Sequence, residues 1–176
     1  MNPSRLKSFS APYYEGKDIM HNLWHIELVY KSALRIIHAG NYKVDMDCLT
    51  AAAYFHGFVK SYEADIRDWL ICEGFCEKSA EKTIIIAQES HAGAVLNSLE
   101  GKILHDAHLI EGGRVYMITK CLITGSLRGQ TLPETIDYVE NNIIDRRRCY
   151  LPETIPLFEQ ANEFTKAFLS ELKSGL

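Results

Sequence analysis

Apolar residues recur every three or four positions along most of the chain, which is the spacing of amphipathic α-helices. The pattern is clearest in residues 18–37, 102–110 and 156–172. An alternating pattern of β-branched residues, typical of strands, persists nowhere. The sequence therefore predicts an all-α fold of about seven or eight helices.

Length and composition favour a single domain. The 176 residues are enough to bury a substantial core, and 47% hydrophobic with 24% charged residues is typical of a soluble globular protein. Residues 1–17, which include Pro3 and Pro12, are expected to form an extended arm over the core, and residues 126–176 to form supporting helices. The apolar stripe of 156–172 must cover a core or a partner subunit, so a homo-oligomer is also possible.

Charge and cysteine content narrow the functional classes. A formal charge of −4 argues against a general nucleic-acid-binding surface, which needs a basic stripe. The apolar runs are too short to span a bilayer, and the N-terminus lacks a secretory pattern, so we expect a cytoplasmic protein without membrane contact. The five cysteines are odd in number and irregularly spaced, which argues against a disulfide framework.

Three polar residues, His25, His56 and Asp106, fall on the apolar faces of predicted helices. Each alone is more often a hydrogen-bonded core residue than a ligand. Because an inward carboxylate and inward imidazoles all need partners, however, the coincidence of three favours one shared metal ion. Imidazole nitrogen and carboxylate oxygen suit Mn, Fe, Co, Ni or Zn, and Mg also remains open.

The neighbouring histidines leave alternatives open. His21 and His25 lie one helical turn apart and could bind one ion together, but we prefer His25 as the ligand and place His21 beside it or facing the substrate. On the helix of Asp106, His105 and His108 fall away from the apolar stripe and are not both expected to share its metal.

Three segments in this order resemble the HD superfamily of metal-dependent phosphohydrolases over roughly residues 18–125. They are HNLWHIELVYKSALRI (21–36), AAAYFHGF (51–58) and GKILHDAHLIEGG (101–113). The resemblance implies a helical HD-like core and assigns His25, His56 and Asp106 as metal ligands.

One position departs from the family pattern. Gly57 stands where the family has the aspartate of its His-Asp doublet. Since glycine carries no side chain, the resemblance supplies three metal ligands instead of four. Replacement of the missing carboxylate by Glu63 or Asp65 remains open.

The resemblance implies metal-dependent hydrolysis of a phosphate ester or anhydride, with a nucleotide or another small phosphorylated molecule as substrate. His91, Lys60 and Arg114 are the candidates for neutralising the phosphate. His91 also has a structural interpretation, because a histidine at a helix C-terminus is stabilised there when charged. The alternative function is a ligand-binding or regulatory module that no longer turns its ligand over, which Gly57 favours.

Overall fold

The structure is a computed structural model that describes residues 1–91 and 93–176. Within these residues it contains nine α-helices, one 3-10 helix and no strand, which confirms the all-α prediction. The helices are α1 (Pro3–Ser10), a 3-10 helix (Ala11–Tyr14), α2 (Leu23–Gly40), α3 (Met46–Phe55), α4 (Glu63–Cys72), α5 (Glu77–Glu89), α6 (Leu99–Ile110), α7 (Gly113–Leu127), α8 (Leu132–Asn142) and α9 (Ile155–Ser174). None of the described helices is long and apolar enough to cross a membrane.

The chain forms two compact units, residues 1–108 and residues 109–176. In the first unit, α3 packs against α1, α2 and α5. The small residues Ala51, Ala52 and Ala53 are fully buried there, which allows neighbouring backbones to approach closely. Helix α3 therefore lies at the centre of this unit, and His56 is the residue that follows its last turn.

The N-terminal segment is helical, whereas the sequence predicts an extended arm. The side chain of Asn2 caps α1 by accepting hydrogen bonds from the backbone of Ser4 and Arg5, and Pro3 occupies the first turn, where it costs no hydrogen bond. Leu6 and Tyr14 are buried against the rest of the first unit. The two prolines thus begin short helices instead of extending the chain.

Capping side chains determine where α2 and α3, the helices that position His25 and His56, begin. Helix α2 begins at Leu23 rather than near residue 18, because the side chain of Asn22 accepts hydrogen bonds from the first backbone amides of the helix. It is followed by Asn41, which adopts the left-handed conformation at φ 50 and ends the helix. The side chain of Asp45 caps α3 by accepting a hydrogen bond from the backbone of Cys48.

In the second unit, α7 packs against both α8 and α9. The buried core residues of this unit are Ile118, Ile136, Val139, Ile144 and Leu169. Helix α8 begins with a capping box, in which Thr131 and Glu134 satisfy each other's backbone amides. The buried face of α9 is narrower than the predicted stripe: Leu157 is 51% exposed, while Leu169 is fully buried.

Replacing Leu169 with alanine is expected to destabilise the protein by about 2–5 kcal/mol, because the change leaves a cavity in the core of the second unit. Leu157→Ala on the same helix is the matched control and should change the free energy of unfolding by less than about 0.5 kcal/mol. Urea denaturation of both variants makes the comparison. Equal effects would show that the buried face of α9 is assigned wrongly.

Candidate functional site

Three imidazoles converge inside the first unit: those of His25, His56 and His108. The ring centroids of His25 and His56 are 5.6 Å apart, and that of His108 lies 5.1 Å from the first and 5.4 Å from the second. One ligand atom from each residue lies within 4.8 Å of the others. His25 and His56 are buried and His108 is partly buried. This group could hold a metal ion.

Three different helix positions bring these side chains together. His25 is in the first turn of α2, His56 follows the last turn of α3, and His108 is in the last turn of α6. Because the contributing residues are far apart in sequence, the site exists only in the folded unit. The structure places His25 and His56 side by side, while the predicted metal site of His25, His56 and Asp106 stays a prediction.

The orientation of His56 suits metal binding. Its Nδ1 lies 2.7 Å from the backbone carbonyl oxygen of Ala53. A neutral imidazole that donates Nδ1–H to this carbonyl presents Nε2 as its electron-pair donor. Metal-binding histidines are commonly oriented by such a hydrogen bond to a carbonyl.

His108 is the ligand candidate that the sequence did not single out. It follows Leu104 by one helical turn, and Leu104 is fully buried, as is its neighbour Ile103. Helix α6 therefore has two adjacent buried faces. His108 lies on one of them, one turn after Leu104, and its imidazole is at the site. The spacing of Leu104 and His108 was the signal that could have identified it.

Asp106 is fully buried, as predicted from its position on the apolar stripe. Its Oδ1 lies 3.0 Å from Nδ1 of His105, and it is not part of the group of three imidazoles. The structure thus pairs Asp106 with its neighbour along the chain. A ligand role for Asp106 remains a prediction.

His21 lies beside the three imidazoles without joining them. Its ring centroid is 5.9 Å from that of His25, and its Nδ1 lies 2.8 Å from Oδ2 of Asp18. The carboxylate of Asp18 also accepts a hydrogen bond from the backbone of Met20. This arrangement agrees with the preference for His25 over His21 as the ligand.

The space next to Gly57 is filled by a tyrosine. A Cβ atom at position 57 would lie 2.6 Å from the hydroxyl oxygen of Tyr14 and 2.7 Å from its Cε1. The Tyr14 hydroxyl donates to the carbonyl oxygen of Tyr54 at 2.7 Å and accepts from the Gly57 amide at 3.2 Å. The phenol therefore occupies the volume that a side chain at position 57 would need.

His91 interacts with the backbone of His56, the residue that follows α3. Partial burial lowers the pKa of His91, and the positive charges of Lys60 and Lys17 lower it further, while a hydrogen bond with the backbone of His56 opposes them. Among the described residues, Nε2 of His91 is buried without a hydrogen-bond partner. His91 thus interacts with the backbone of His56, whereas phosphate binding by His91 and Lys60 stays a prediction.

The remaining candidates are Arg114, Glu63 and Asp65. Arg114 belongs to the second unit, where its guanidinium lies 5.2 Å from the ring centroid of Phe164. Glu63 and Asp65 are exposed on α4, and Glu63 accepts a hydrogen bond from Gln88. Neither carboxylate belongs to the group of three histidines in the described part of the chain.

The fold and the site define an all-helical protein with a candidate metal centre built from three histidines. Its fold is shared by the crystal structure of Bacillus subtilis YpgQ in complex with ADP, with a TM-score of 0.76 and 17% sequence identity over 99% of this chain and 98% of that chain. The crystal structure of Bacillus subtilis YpgQ matches with a TM-score of 0.75 and 18% identity, over 100% of this chain and 98% of that chain. At these identities the likeness shows the fold. No protein-family model and no curated protein matches the chain.

Proposed function

We propose that the chain is a metal-dependent phosphohydrolase of the HD type that acts on a nucleotide or another small phosphate ester or anhydride. The observation that carries the proposal is the convergence of His25, His56 and His108 on one point of the first unit. A shared fold with YpgQ, which was crystallised with ADP, supports a nucleotide as the ligand.

The three imidazoles fit a divalent metal ion. Their ligand atoms lie within 4.8 Å of one another, and His56 is oriented through its Nδ1. Nitrogen donors of this kind suit Zn, Co and Ni better than Mg, which prefers oxygen. The chemistry supplied by such an ion is Lewis acidity, which polarises a phosphoryl oxygen and acidifies water.

The chain's own residues complete the site. His25 and His56 are buried, so the centre is shielded from bulk water, and electrostatic interactions are stronger there than in water. Lys60, four residues after His56, and His91, which forms a hydrogen bond with the backbone of His56, can offset the negative charge of a phosphate group. Binding, orientation and charge compensation thus come from residues of one compact unit.

The second candidate function is a ligand-binding or regulatory module with the same fold. The observation that favours it is Gly57, whose side-chain volume is occupied by Tyr14, so that a carboxylate is absent at this position. A centre of this kind would bind its phosphorylated ligand without hydrolysing it. The two candidates differ in turnover and not in binding.

His25→Ala is expected to abolish metal binding and to lower phosphate release by at least about 100-fold, because it removes one of the three ligands. His38 is an exposed histidine at the end of the same helix, so His38→Ala is the matched control. This variant should retain metal binding and phosphate release. The assay measures metal content and phosphate release from a panel of nucleotides with added Mn, Co, Ni, Zn or Mg. Nucleotide binding by the parent protein without phosphate release would favour the regulatory module.

A further inference from the structure

Helix α3 is followed by His56, and the backbone there exchanges its hydrogen-bond partners. If the helix continued, the Gly57 amide would donate to the carbonyl of Ala53, one turn earlier. In the structure, Nδ1 of His56 lies 2.7 Å from the Ala53 carbonyl oxygen. The Gly57 amide donates instead to the Tyr14 hydroxyl at 3.2 Å. The imidazole of His56 therefore bonds with the acceptor that a further helical turn would use, and Tyr14 provides the amide with another acceptor.

The same hydroxyl also satisfies a carbonyl of the last turn of α3. In a continuing helix the Tyr54 carbonyl would accept from the Phe58 amide, but that amide donates to the Phe55 carbonyl at 3.0 Å. The Tyr14 hydroxyl donates to the Tyr54 carbonyl oxygen at 2.7 Å. One phenol thus forms hydrogen bonds with the backbone on both sides of His56.

The Tyr14 phenol is held in this position by packing. Its side chain is buried, and its ring lies edge-on to that of Phe58, with 5.6 Å between the two centroids. Lys17, in the same segment, donates from Nζ to the Gly57 carbonyl oxygen at 2.7 Å. Glycine at position 57 permits this approach, since a Cβ there would lie 2.6 Å from the Tyr14 hydroxyl oxygen. The phenol and the glycine are therefore complementary in shape.

The hydrogen bond between His56 and Ala53 decides which imidazole nitrogen can bind a metal. Because a carbonyl oxygen only accepts, Nδ1 is the donor and carries the proton. Nε2 then holds the free electron pair, in the orientation that this bond fixes. Without the Tyr14 hydroxyl, the Gly57 amide would need another acceptor, and helical geometry offers it the Ala53 carbonyl. The amide and the imidazole would then compete for one carbonyl.

We infer that Tyr14 is a positioning residue for His56. By accepting from the Gly57 amide, its hydroxyl leaves the Ala53 carbonyl to the imidazole, which sets the tautomer and the direction of the ring. The inference rests on the proposed function, since His56 is one of the three converging histidines. The effect of Tyr14 on the metal centre is transmitted through the backbone around His56.

The test compares Tyr14→Phe with Tyr13→Phe in the full chain. Each variant keeps its ring and loses one hydroxyl, and Tyr13 is the matched control because its ring stacks on Phe58 at 4.1 Å in the same segment. Nitrogen NMR of the metal-free proteins at about pH 8, where an unperturbed histidine is neutral, reports which nitrogen of His56 carries the proton. The spectrum of His56→Ala assigns the signals. Affinity for Co²⁺ and the free energy of unfolding are measured for each variant.

Tyr14→Phe is expected to move the His56 proton partly from Nδ1 to Nε2 and to weaken Co²⁺ binding by roughly 10- to 100-fold, because the hydrogen bond that orients this ligand is weakened. Tyr13→Phe should change neither quantity. A His56 that keeps its Nδ1 proton and its Co²⁺ affinity in Tyr14→Phe overturns the inference. Equal losses in both variants also overturn it, because they would follow from looser packing of the segment.

Further measurements keep this inference separate from folding and from the proposed function. If Tyr14→Phe does not fold, the metal-free parent protein decides: a His56 protonated on Nε2 contradicts the inference, and an Nδ1 proton that exchanges slowly with water supports it. If the tautomer of His56 depends on Tyr14 but the parent protein binds no divalent metal, the proposed function fails and the positioning role stands. Co²⁺ binding that Tyr14→Phe leaves unchanged gives the reverse result.

Discussion

Replacement of His108 by alanine is expected to lower the affinity of the protein for a divalent metal by roughly 100- to 1,000-fold. The reason is that His108 is one of three imidazoles whose ligand atoms lie within 4.8 Å of one another. Two remaining nitrogens form a much weaker site than three. Titration with Co²⁺, whose visible spectrum reports the ligands around the ion, measures the loss directly.

Asp106→Asn is the informative comparison for this variant, because the sequence assigns Asp106 as the third ligand. If Asp106 acts through His105, to which its Oδ1 lies 3.0 Å away, the loss of metal affinity should be smaller than for His108→Ala. His38→Ala is the neutral control. Retention of metal in His108→Ala together with its loss in Asp106→Asn would assign the third ligand to Asp106 after all.

Gly57→Asp in the parent chain is expected to destabilise the protein instead of restoring a metal ligand. A Cβ at this position would lie 2.6 Å from the hydroxyl of Tyr14, which is buried, and overpacking against a buried side chain costs about 1–3 kcal/mol. Backbone strain is not the reason, because Gly57 is absent from the residues with positive φ. The obstacle is the phenol of Tyr14.

A double-mutant cycle isolates this effect. Gly57→Ala should cost about 1–3 kcal/mol in the parent chain but much less in a Tyr14→Ala background, where the space is empty. Gly175→Ala is the control, since its added Cβ meets nothing closer than 3.6 Å. Urea denaturation gives the four free energies of unfolding, and equal costs in both backgrounds would contradict the steric explanation.

The double variant Gly57→Asp/Tyr14→Ala tests whether position 57 faces the metal centre. With the phenol removed, the new carboxylate should tighten metal binding relative to Tyr14→Ala alone. A gain in phosphate release as well would indicate an enzyme that lacks one ligand, whereas a gain in metal alone would indicate a centre adapted to binding. A folded double variant that gains neither would show that this position points away from the ion.

Helical periodicity was sufficient to predict the fold class and two of the three imidazoles. His25 and His56 each lie on a single apolar stripe, so their inward direction follows from spacing alone. Periodicity did not predict His108, because α6 has two adjacent buried faces. The apolar stripe that contains Asp106 does not contain His108. The same stripe predicts that Asp106 binds the metal, and this ligand role remains a prediction.

The contact of Tyr14 with Gly57 could not be predicted from the sequence. The two residues are 43 positions apart, and their hydrogen bond depends on how the N-terminal helices pack. The prolines of residues 1–17 suggested an extended arm, but local caps and the burial of Leu6 favour helices. Contacts between distant segments are set by tertiary packing, to which local patterns are insensitive.

The attachment of the N-terminal segment to Gly57 links the docking of residues 11–17 to the end of α3. If residues 11–17 detach, Lys17 leaves Gly57 and the phenol of Tyr14 leaves the end of α3 in the same event. The Gly57 amide loses its hydrogen bond to the Tyr14 hydroxyl in that event as well, so hydrogen exchange of this single amide reports how often the segment opens.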